Sequence, residues 1–542
     1  MFTAMKTADQ LTAQKLRGGF YSNPTLVEVC LDRIAGLLPG KEALAVLEPT
    51  AGDGAFIRGI VRHELGRRVG SLSAVELVPS EGQACREAIL AANLHGSVRI
   101  GSFLSREILF STDTFDVAIG NPPFLRFQFV SAEERVNIER LAEHLGVAFA
   151  GVSNLWIPIF LGTLAKLRPG GAFAFVVPSE CLTGVSGRLV RNWLTTHMKS
   201  LRIDLFPVGS FPGVLQEVIV LSGQASSDFN AEAKITVFDH ATQLCWVHAV
   251  DEGLATWTGL LLTPHQLAAI EEARELPGVS LLGQAARLGV STVTGANEFF
   301  SLNEQTRRQF KLENWCRPLL ARSRHVKGLD FTCEDFEANV VEGLPVWLFD
   351  SGMTDIDPIS AAGPRRYIKT GSDSELHLRY KCRIRKPWYR VPVVEPRAIM
   401  LSKRCHRFPR LILNSAGATT TDTIYQGSLI GEYQGREMDV VASFHNSLTL
   451  VSAELFGRSF GGGVLELVPS EVKSLLVPIV SVTRAQFGQL DRLVRVDESE
   501  SDDLVDATDD LVAASIQGLG GELLSTIREA RESLLRRRLE RN

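Results

Sequence analysis

The feature that most constrains the fold is a regular alternation of short apolar runs and amphipathic segments across residues 20–225. The apolar runs have the length of buried strands, and the amphipathic segments have the length of helices. Strand–helix alternation of this kind is typical of a mostly parallel sheet with helices on both faces. We therefore predict an α/β domain whose strands include residues 44–47, 72–77, 115–119, 172–177 and 217–221 and whose helices include residues 155–167 and 188–198.

The pattern changes after about residue 240, where strands and helices no longer alternate cleanly and Pro, Gly and basic residues become frequent. A chain of 542 residues has room for two or three domains. We predict an α/β domain over residues 1–240, an α+β domain over residues 241–480 and a helical C-terminal segment over residues 481–542.

Charge is strongly segregated along the chain, although the net charge is only −5. Residues 365–410 contain fourteen Lys and Arg against three acids, whereas residues 497–510 contain eight acids and no base. A protein needs positive charge only on the face that meets phosphate. The overall acidity therefore does not exclude nucleic acid as a partner.

Targeting and metal signals are weak. No window approaches 18 consecutive apolar residues, and the N-terminus lacks an apolar segment followed by a small-residue cleavage site. The eight cysteines are scattered without a CxxC pair, which suggests neither a zinc site nor a disulfide framework. We expect a cytoplasmic protein with reduced thiols, no membrane partner and no metal.

The tetrapeptide Asn121-Pro122-Pro123-Phe124 directly follows an apolar run and Gly120. It is expected at the carboxyl end of a strand, where open α/β sheets bind ligands. Two prolines make the loop rigid and remove two N–H donors, so the loop presents carbonyl oxygens. The Asn121 side chain adds another acceptor, and an aromatic ring can stack on a flat base. The complementary ligand is a planar amine that donates two hydrogen bonds.

A second loop, Glu48-Pro49-Thr50-Ala51-Gly52-Asp53-Gly54, also follows a strand-like run. Glycines at a strand-to-helix turn allow close approach of the backbone to a nucleoside. The loop is neither a dinucleotide fingerprint, which needs a third glycine, nor a P-loop. Glu76 ends the next strand-like run, in a position where an acid commonly holds ribose hydroxyls.

In the order and spacing of these motifs, residues 1–225 resemble the γ-class, TaqI-like N6-adenine DNA methyltransferases of type II restriction–modification systems. Residues 17–24, 48–56, 76–77, 101–104, 121–124, 154–178 and 210–221 resemble the family's successive motifs. The resemblance implies a Rossmann-like sheet that binds S-adenosylmethionine. It places the cofactor at Tyr21, Ser22, Glu48, Pro49, Gly52, Gly54, Glu76, Leu77, Ser102 and Phe103.

The chain departs from the family pattern in three motifs. Ser102 stands where family members often carry an Asp that accepts from the adenine amine of the cofactor, and a serine accepts without charge. Ser22-Asn23-Pro24 replaces the usual Thr-Pro-Pro but keeps the hydroxyl. Phe124 replaces the commoner Tyr and keeps the stacking face.

The resemblance implies a mechanism in which a target adenine leaves the double-stranded DNA helix before it is methylated at N6. Catalysis is assigned to Asn121, Pro122, Pro123, Phe124 and Phe211. Asn121 and Pro122 would accept the two N6 protons, and Phe124 and Phe211 would stack on the base. The modification would protect DNA from a cognate restriction endonuclease, a separate protein by the habit of the family.

The α+β domain is expected to recognise the DNA target, because basic residues alternate with aromatic residues in the segment 379–390. The alternative is a solvated charged strand whose aromatics pack inward. The residues assigned to DNA are Arg379, Lys381, Arg383, Arg385, Lys386, Trp388, Tyr389, Lys403 and Arg404.

Other functions stay open. Asn-Pro-Pro-aromatic loops also serve enzymes that methylate ribosomal RNA or a protein glutamine amide, although the large second domain and residues 21–24 favour DNA. A catalytically idle DNA-binding subunit is a further alternative. A fused nuclease is disfavoured, because the first methyltransferase motif lies almost at the start of the sequence and no nuclease signature is evident.

Overall fold

The computed structural model describes residues 22–125, 127, 130–149, 154–183, 185–207, 209–211, 217–226, 234–249, 256–460, 462–496 and 502–540. The chain divides into two compact units, and the division falls between Pro264 and His265. Each unit has its own sheets and its own core.

The first unit has one large sheet, and its helices and strands follow in chain order. They are α1 (Pro24–Leu37), β1 (Leu44–Glu48), α2 (Ala55–Arg62), β2 (Val69–Glu76), α3 (Pro79–Ala91), β3 (Gly96–Ile100), α4 (Arg106–Leu109), β4 (Phe115–Gly120), α5 (Ala132–Leu145), α6 (Trp156–Leu164), β5 (Leu167–Pro178), α7 (Glu180–Thr183), α8 (Val185–His197), β6 (Met198–Leu205), β7 (Val218–Ala225), β8 (Lys234–Asp239) and β9 (Leu244–Ala249).

The described strands form a nine-stranded sheet in the order β3-β2-β1-β4-β5-β7-β6-β8-β9. The first five strands of that order are parallel, and β7 runs antiparallel to both of its neighbours. The strand order reverses direction at β1, which has β2 on one side and β4 on the other. Such a reversal is where open α/β sheets bind their ligands. The α/β prediction is confirmed.

The two faces of the sheet belong to different cores because neighbouring side chains of a strand point to opposite sides. Val46 and Ala74 pack into a cluster shared with α1 and α2, whereas Leu47 and Val75 pack into a second cluster shared with α5 and α6. All six residues of β4 are buried. Burying a large aliphatic side chain contributes about 1.5–3 kcal/mol, so β4 is anchored firmly at the centre of the sheet.

The predicted boundary at residue 240 falls inside this sheet, between β8 and β9, which pair antiparallel. The sequence pattern could not show this, because β8 and β9 form a hairpin without an intervening helix. Trp246 donates to the carbonyl of Leu260 at 2.9 Å, so the chain beyond the hairpin also packs within the first unit. The division at Pro264 follows from these contacts.

The second unit is α+β, as the sequence predicts, with short strands and helices. They are α9 (Pro264–Arg274), β10 (Val279–Leu281), α10 (Leu282–Ala285), β11 (Ala286–Gly289), α11 (Asn297–Phe300), β12 (Ser301–Leu302), α12 (Glu304–Gln309), β13 (Cys316–Leu320), α13 (Cys333–Val341), β14 (Trp347–Phe349), α14 (Ala362–Asp373), α15 (Tyr380–Arg383), β15 (Ile399–Ser402), β16 (Arg404–Cys405), β17 (Leu411–Leu413), β18 (Thr419–Thr420), β19 (Ile424–Leu429), α16 (Glu437–Phe444), α17 (Ser447–Phe456), β20 (Arg458–Phe460), β21 (Val464–Glu466), α18 (Pro469–Val472), β22 (Leu476–Pro478), α19 (Arg484–Val496), α20 (Asp502–Ser515) and α21 (Gly521–Leu539).

The C-terminal helices are part of this second unit and not a separate segment. The buried carboxylate of Asp509 in α20 accepts from the backbone N–H and the hydroxyl of Ser447, each at 2.7 Å. Arg538 in α21 forms an ion pair with Glu454 in α17. The predicted segment 481–542 therefore belongs to the domain that precedes it, because its polar side chains close hydrogen bonds inside that domain.

Candidate active site

A cavity of about 420 Å³ opens at the carboxyl ends of β1, β2 and β4, next to the point where the strand order reverses. Most of its described lining residues come from the loops that the sequence singled out, and others lie in or next to α3, α5 and α6. They are Ser22, Glu48, Pro49, Thr50, Ala51, Gly52, Asp53, Ala55, Phe56, Glu76, Leu77, Val78, Glu81, Gly101, Ser102, Phe103, Leu104, Asn121, Pro123, Leu125, Glu134, Leu155 and Ile159.

Most of the cofactor residues predicted from the sequence lie in this lining. Ser22, Glu48, Pro49, Gly52, Glu76, Leu77, Ser102 and Phe103 border the cavity. Gly54 does not; it has φ +80° and is the N-cap of α2, which makes it the residue that turns the loop into the helix. Tyr21 lies outside the described residues.

Glu76, at the end of β2, accepts hydrogen bonds from the glycine loop and from the turn that follows β2. One oxygen of its carboxylate accepts from the N–H of Gly52 at 2.7 Å, and the other accepts from the N–H of Val78 at 2.7 Å. The end of β2 is thereby tied to the turn that follows β1. Because each carboxylate oxygen can accept more than one hydrogen bond, Glu76 keeps capacity for a ligand hydroxyl.

Glu48 is the most unusual group in the cavity. It is only 1% exposed, and neither carboxylate oxygen has a hydrogen-bond partner within the described part of the chain. Burial raises the pKa of Glu48 well above its usual value, and the nearby charges of Glu76 and Asp53 raise it further. A buried acid without a donor needs a cation or a proton, and the cavity beside it is the place for a cationic ligand.

The tetrapeptide meets the same cavity. Asn121 and Pro123 contribute to the lining, whereas Pro122 is buried behind them. The Asn121 side chain donates from Nδ2 to the hydroxyl of Ser22 at 3.3 Å, and the Asn121 carbonyl accepts from Thr50 at 3.3 Å. These bonds connect the tetrapeptide to the segment before α1 and to the glycine loop.

The two aromatics predicted to stack on a base do not border the cavity. Phe124 and Phe211 are half-buried and pack against the core cluster shared with α1 and α2. The ring of Phe211 lies edge-on to Phe206, with centroids 5.2 Å apart. Both rings therefore belong to the same side of the sheet, outside the described cavity lining.

Glu134 was not identified from the sequence, although it borders the cavity. Its carboxylate accepts from the hydroxyl of Ser102 at 2.5 Å and from the hydroxyl of Ser131 at 2.7 Å. A signal was present in the sequence: Ser131 and Glu134 have the spacing of a capping box, which marks the first turn of a helix. That spacing predicts a helix start but not a contact with Ser102.

Several residues assigned to DNA have other roles in the second unit, which corrects the prediction. Tyr389 is 6% exposed, and the ring of Trp388 packs against Phe299 and Phe300. Arg385 donates to the carbonyls of Val293 and Thr294 at 2.5 and 2.6 Å. The aromatics pack inward in the core of the domain, as in the alternative that the sequence left open, but residues 380–383 form the short helix α15 and not a strand.

Lys403 and Arg404 also have a partner inside the domain, since both form ion pairs with Glu466. Arg404 is nevertheless exposed, as are four other assigned basic residues, namely Arg379, Lys381, Arg383 and Lys386. Beside them lie the residues Leu378, Tyr380 and Ile384, which are 55%, 65% and 60% exposed. The exposed part of the predicted surface is thus a basic patch with apolar side chains, which we call the 378–386 patch.

Among the described residues, no helix is long and apolar enough to cross a membrane, and no cluster of three or more His, Cys, Asp or Glu side chains is arranged to hold a metal.

Similarity to known proteins agrees with this geometry. Residues 90–209 match the Eco57I restriction–modification methylase family, and residues 254–513 match the C-terminal domain of the type II methyltransferase M.Eco57I. The type II methyltransferase M.AccI of Acinetobacter calcoaceticus is 22% identical over 507 residues, which cover 88% of this chain and 90% of that protein. M.BanIII of Aneurinibacillus aneurinilyticus is 22% identical over 234 residues, which are 39% of each protein.

The fold is also that of a solved structure, the type IIL restriction–modification enzyme MmeI in complex with DNA. The TM-score is 0.52 at 12% identity, with 95% of this chain and 75% of the MmeI chain covered. Fold, cavity and family matches define an S-adenosylmethionine-dependent methyltransferase of a restriction–modification system. More particularly, the protein is a type II restriction–modification DNA methyltransferase that resembles Eco57I-type enzymes over residues 90–209 and 254–513.

The residues present fit the cofactor. S-adenosylmethionine carries a sulfonium and an ammonium group, and five acids border the cavity, namely Glu48, Asp53, Glu76, Glu81 and Glu134. The described lining contains no Lys or Arg. The buried carboxylate of Glu48 has no hydrogen-bond partner among the described residues and is the group that most needs a cation, so it is suited to the positively charged part of the cofactor.

Proposed function

We propose that this methyltransferase modifies the exocyclic N6 amine of adenine at a specific DNA site and thereby protects the DNA from a cognate restriction endonuclease. The observation that carries the proposal is that Asn121 and Pro123 border the same cavity as Glu48, Gly52 and Glu76. A rigid loop of acceptors next to a cofactor cavity is suited to an amine that donates two hydrogen bonds.

When bound, S-adenosylmethionine supplies an electrophilic methyl group. Glu76 would hold its ribose, and Glu48 would face its positive charge. The oxygen of the Asn121 side chain and the Pro122 carbonyl would accept hydrogen bonds from the two N6–H groups of the target adenine, and the sulfur–methyl bond of the cofactor would break as the nitrogen–methyl bond forms. Those hydrogen bonds orient the nitrogen lone pair, and positioning is then the main catalytic device.

The adenine would have to leave the double helix to reach this loop. Phe124 and Phe211 would stack on the flipped base, at roughly 1–3 kcal/mol per stacked base. Both rings pack against the core cluster that contains Phe206. In the second unit, the 378–386 patch would contact DNA. Its Lys and Arg side chains would lie on phosphates, and its apolar side chains would lie near the nucleobases.

The experiment is single-molecule sequencing of DNA from a host that expresses the full chain, beside an Asn121→Ala variant. We expect N6-methyladenine within one short motif and its loss in the variant. Methylcytosine in place of methyladenine, or no modification by a folded protein that binds S-adenosylmethionine, would contradict the proposal. In the latter case labelled methyl transfer to RNA or protein would identify another substrate, and transfer to none would indicate an idle DNA-binding subunit.

A further inference from the structure

Glu134 lies in the first turn of α5 and reaches the cofactor cavity from a different element than the glycine loop. The first turn is closed by a capping box in which Ser131 is the N-cap. One oxygen of the Glu134 carboxylate, Oε2, accepts from the N–H and the hydroxyl of Ser131 at 3.0 and 2.7 Å. The helix start therefore fixes the position of this side chain.

The other oxygen, Oε1, accepts from the hydroxyl of Ser102 at 2.5 Å. Ser102 in turn accepts from the N–H of Leu104 at 3.2 Å, so its hydroxyl is oriented towards Glu134. This contact joins residues 32 positions apart, just after β3 and at the start of α5. The carboxylate is consequently held from two sides, at the edge of the cavity.

The charge state of Glu134 follows from these bonds. Partial burial acts to raise its pKa, but the hydrogen bonds from Ser102 and Ser131 outweigh burial and hold the pKa below its usual value. Glu134 is therefore ionised at neutral pH. In this respect it differs from Glu48, which lines the same cavity without hydrogen-bond donors from the described residues.

The strand order indicates which part of the cofactor lies near Glu134. Ser102 follows β3, Glu76 ends β2, Glu48 ends β1 and Asn121 follows β4, and these strands are neighbours in the order β3-β2-β1-β4. The methyl group must lie near Asn121 if Asn121 holds the target amine. The far end of the cofactor, which is its adenine base, then lies near Ser102 and Glu134.

We propose that Glu134 is the anionic acceptor that recognises the exocyclic amine of the cofactor's adenine, and that Ser102 acts through it as a positioning residue. This inference rests on the proposed function for the direction of the cofactor in the cavity. The apolar side chains of Phe103, Leu155 and Ile159 border the same cavity and are suited to the faces of a purine. Glu134, at the start of α5, thus supplies the negative charge that Ser102 lacks.

The test measures binding of two thioether ligands to the full chain by calorimetry. One is S-adenosylhomocysteine, and the other is its purine analogue without the 6-amino group. Neither carries a sulfonium, so a general loss of negative charge affects both ligands alike. The unmodified protein is expected to prefer the amine-bearing ligand by about tenfold or more, since a hydrogen bond to a charged group has this strength.

Glu134→Gln is expected to remove most of this preference. Glu133→Gln is the matched control, because Glu133 is exposed in the same helical turn and changes the charge equally. Equal weakening of both ligands by Glu134→Gln, or unchanged preference, would overturn the proposal. Thermal unfolding of each variant reports whether the protein is folded.

Ser102→Ala provides a second variant that leaves the capping box intact. It is expected to reduce the preference between the two ligands by several-fold, because Glu134 then loses one of its orienting donors. A merely structural role of Ser102 would weaken both ligands equally and would contradict the positioning role. These binding measurements involve no DNA, so failure of the DNA-adenine proposal would appear separately, as unmodified DNA despite normal ligand preference.

Discussion

The side-chain amide of Asn121 donates to the hydroxyl of Ser22 at 3.3 Å, although the two residues are 99 positions apart. Because the amide nitrogen of Asn121 points towards Ser22, the amide oxygen is the atom that can accept a hydrogen bond from a substrate amine. The segment before α1 therefore helps to orient the residue proposed to hold the target.

The first prediction concerns this contact. Ser22→Ala removes an acceptor of the Asn121 amide, so the side chain is held less firmly in its orientation. We expect turnover at saturating cofactor to fall roughly two- to tenfold, in line with the loss of one neutral hydrogen bond. Methyl transfer to DNA at a fixed cofactor excess measures the effect. Unchanged turnover together with reduced cofactor affinity would show that Ser22 serves the cofactor alone.

A second prediction follows from the burial of Glu48. Burial raises its pKa, so the folded protein without cofactor favours the protonated form more than the unfolded chain does. The free energy of unfolding should therefore decrease as the pH rises from about 4.5, the usual glutamate value, through the raised pKa of the folded state. Denaturant unfolding across this pH range, with and without S-adenosylmethionine, measures the effect.

Glu48→Gln is the corresponding variant. It is expected to abolish this part of the pH dependence and to weaken binding of the cationic cofactor more than binding of S-adenosylhomocysteine. If the variant keeps the same pH dependence as the unmodified protein, another group is responsible.

The third prediction concerns the core of the second unit. Arg538 is 2% exposed and donates to both oxygens of the Glu454 carboxylate and to the carbonyls of His406, Arg407 and Gly463. Arg538→Ala would leave Glu454 buried without its ion pair. We expect a loss of about 3–5 kcal/mol of unfolding free energy. Arg536→Ala, at an exposed position of the same helix, should change it by less than about 0.5 kcal/mol. Similar losses in both variants would contradict a role for the buried pair.

The fourth prediction concerns the 378–386 patch. Lys381→Ala combined with Arg383→Ala removes two exposed charges, and the affinity for duplex DNA should fall. The slope of log affinity against log salt should decrease by about 2, since each phosphate contact releases roughly one counterion. Arg484→Ala with Arg492→Ala, two exposed bases of α19, removes the same charge and is the control. Equal effects of the two double variants would indicate only a general charge effect.

Much of the catalytic unit was predictable because its signals are local. Short apolar runs marked β1, β2, β4, β5 and β7, and the residues that end or follow three of these strands, such as Glu48, Glu76 and Asn121, border one cavity. The carboxyl ends of parallel strands lie at the same edge of a sheet. A motif that directly follows a strand in the sequence could therefore be placed at that edge. The boundary at residue 240 was wrong because β8 and β9 form a hairpin, which interrupts the strand–helix alternation.

The sequence by itself determined the order of the motifs along the chain, the cofactor loop and the tetrapeptide. Each of these motifs depends on a few consecutive residues. Only the tertiary structure decided that Glu134 meets Ser102, that Trp388 and Tyr389 pack inward, and that Lys403 and Arg404 share Glu466. A run of bases and aromatics has the same local pattern whether its rings face a core or a ligand. The choice depends on which surfaces distant segments bring against it, and that information lies in long-range packing.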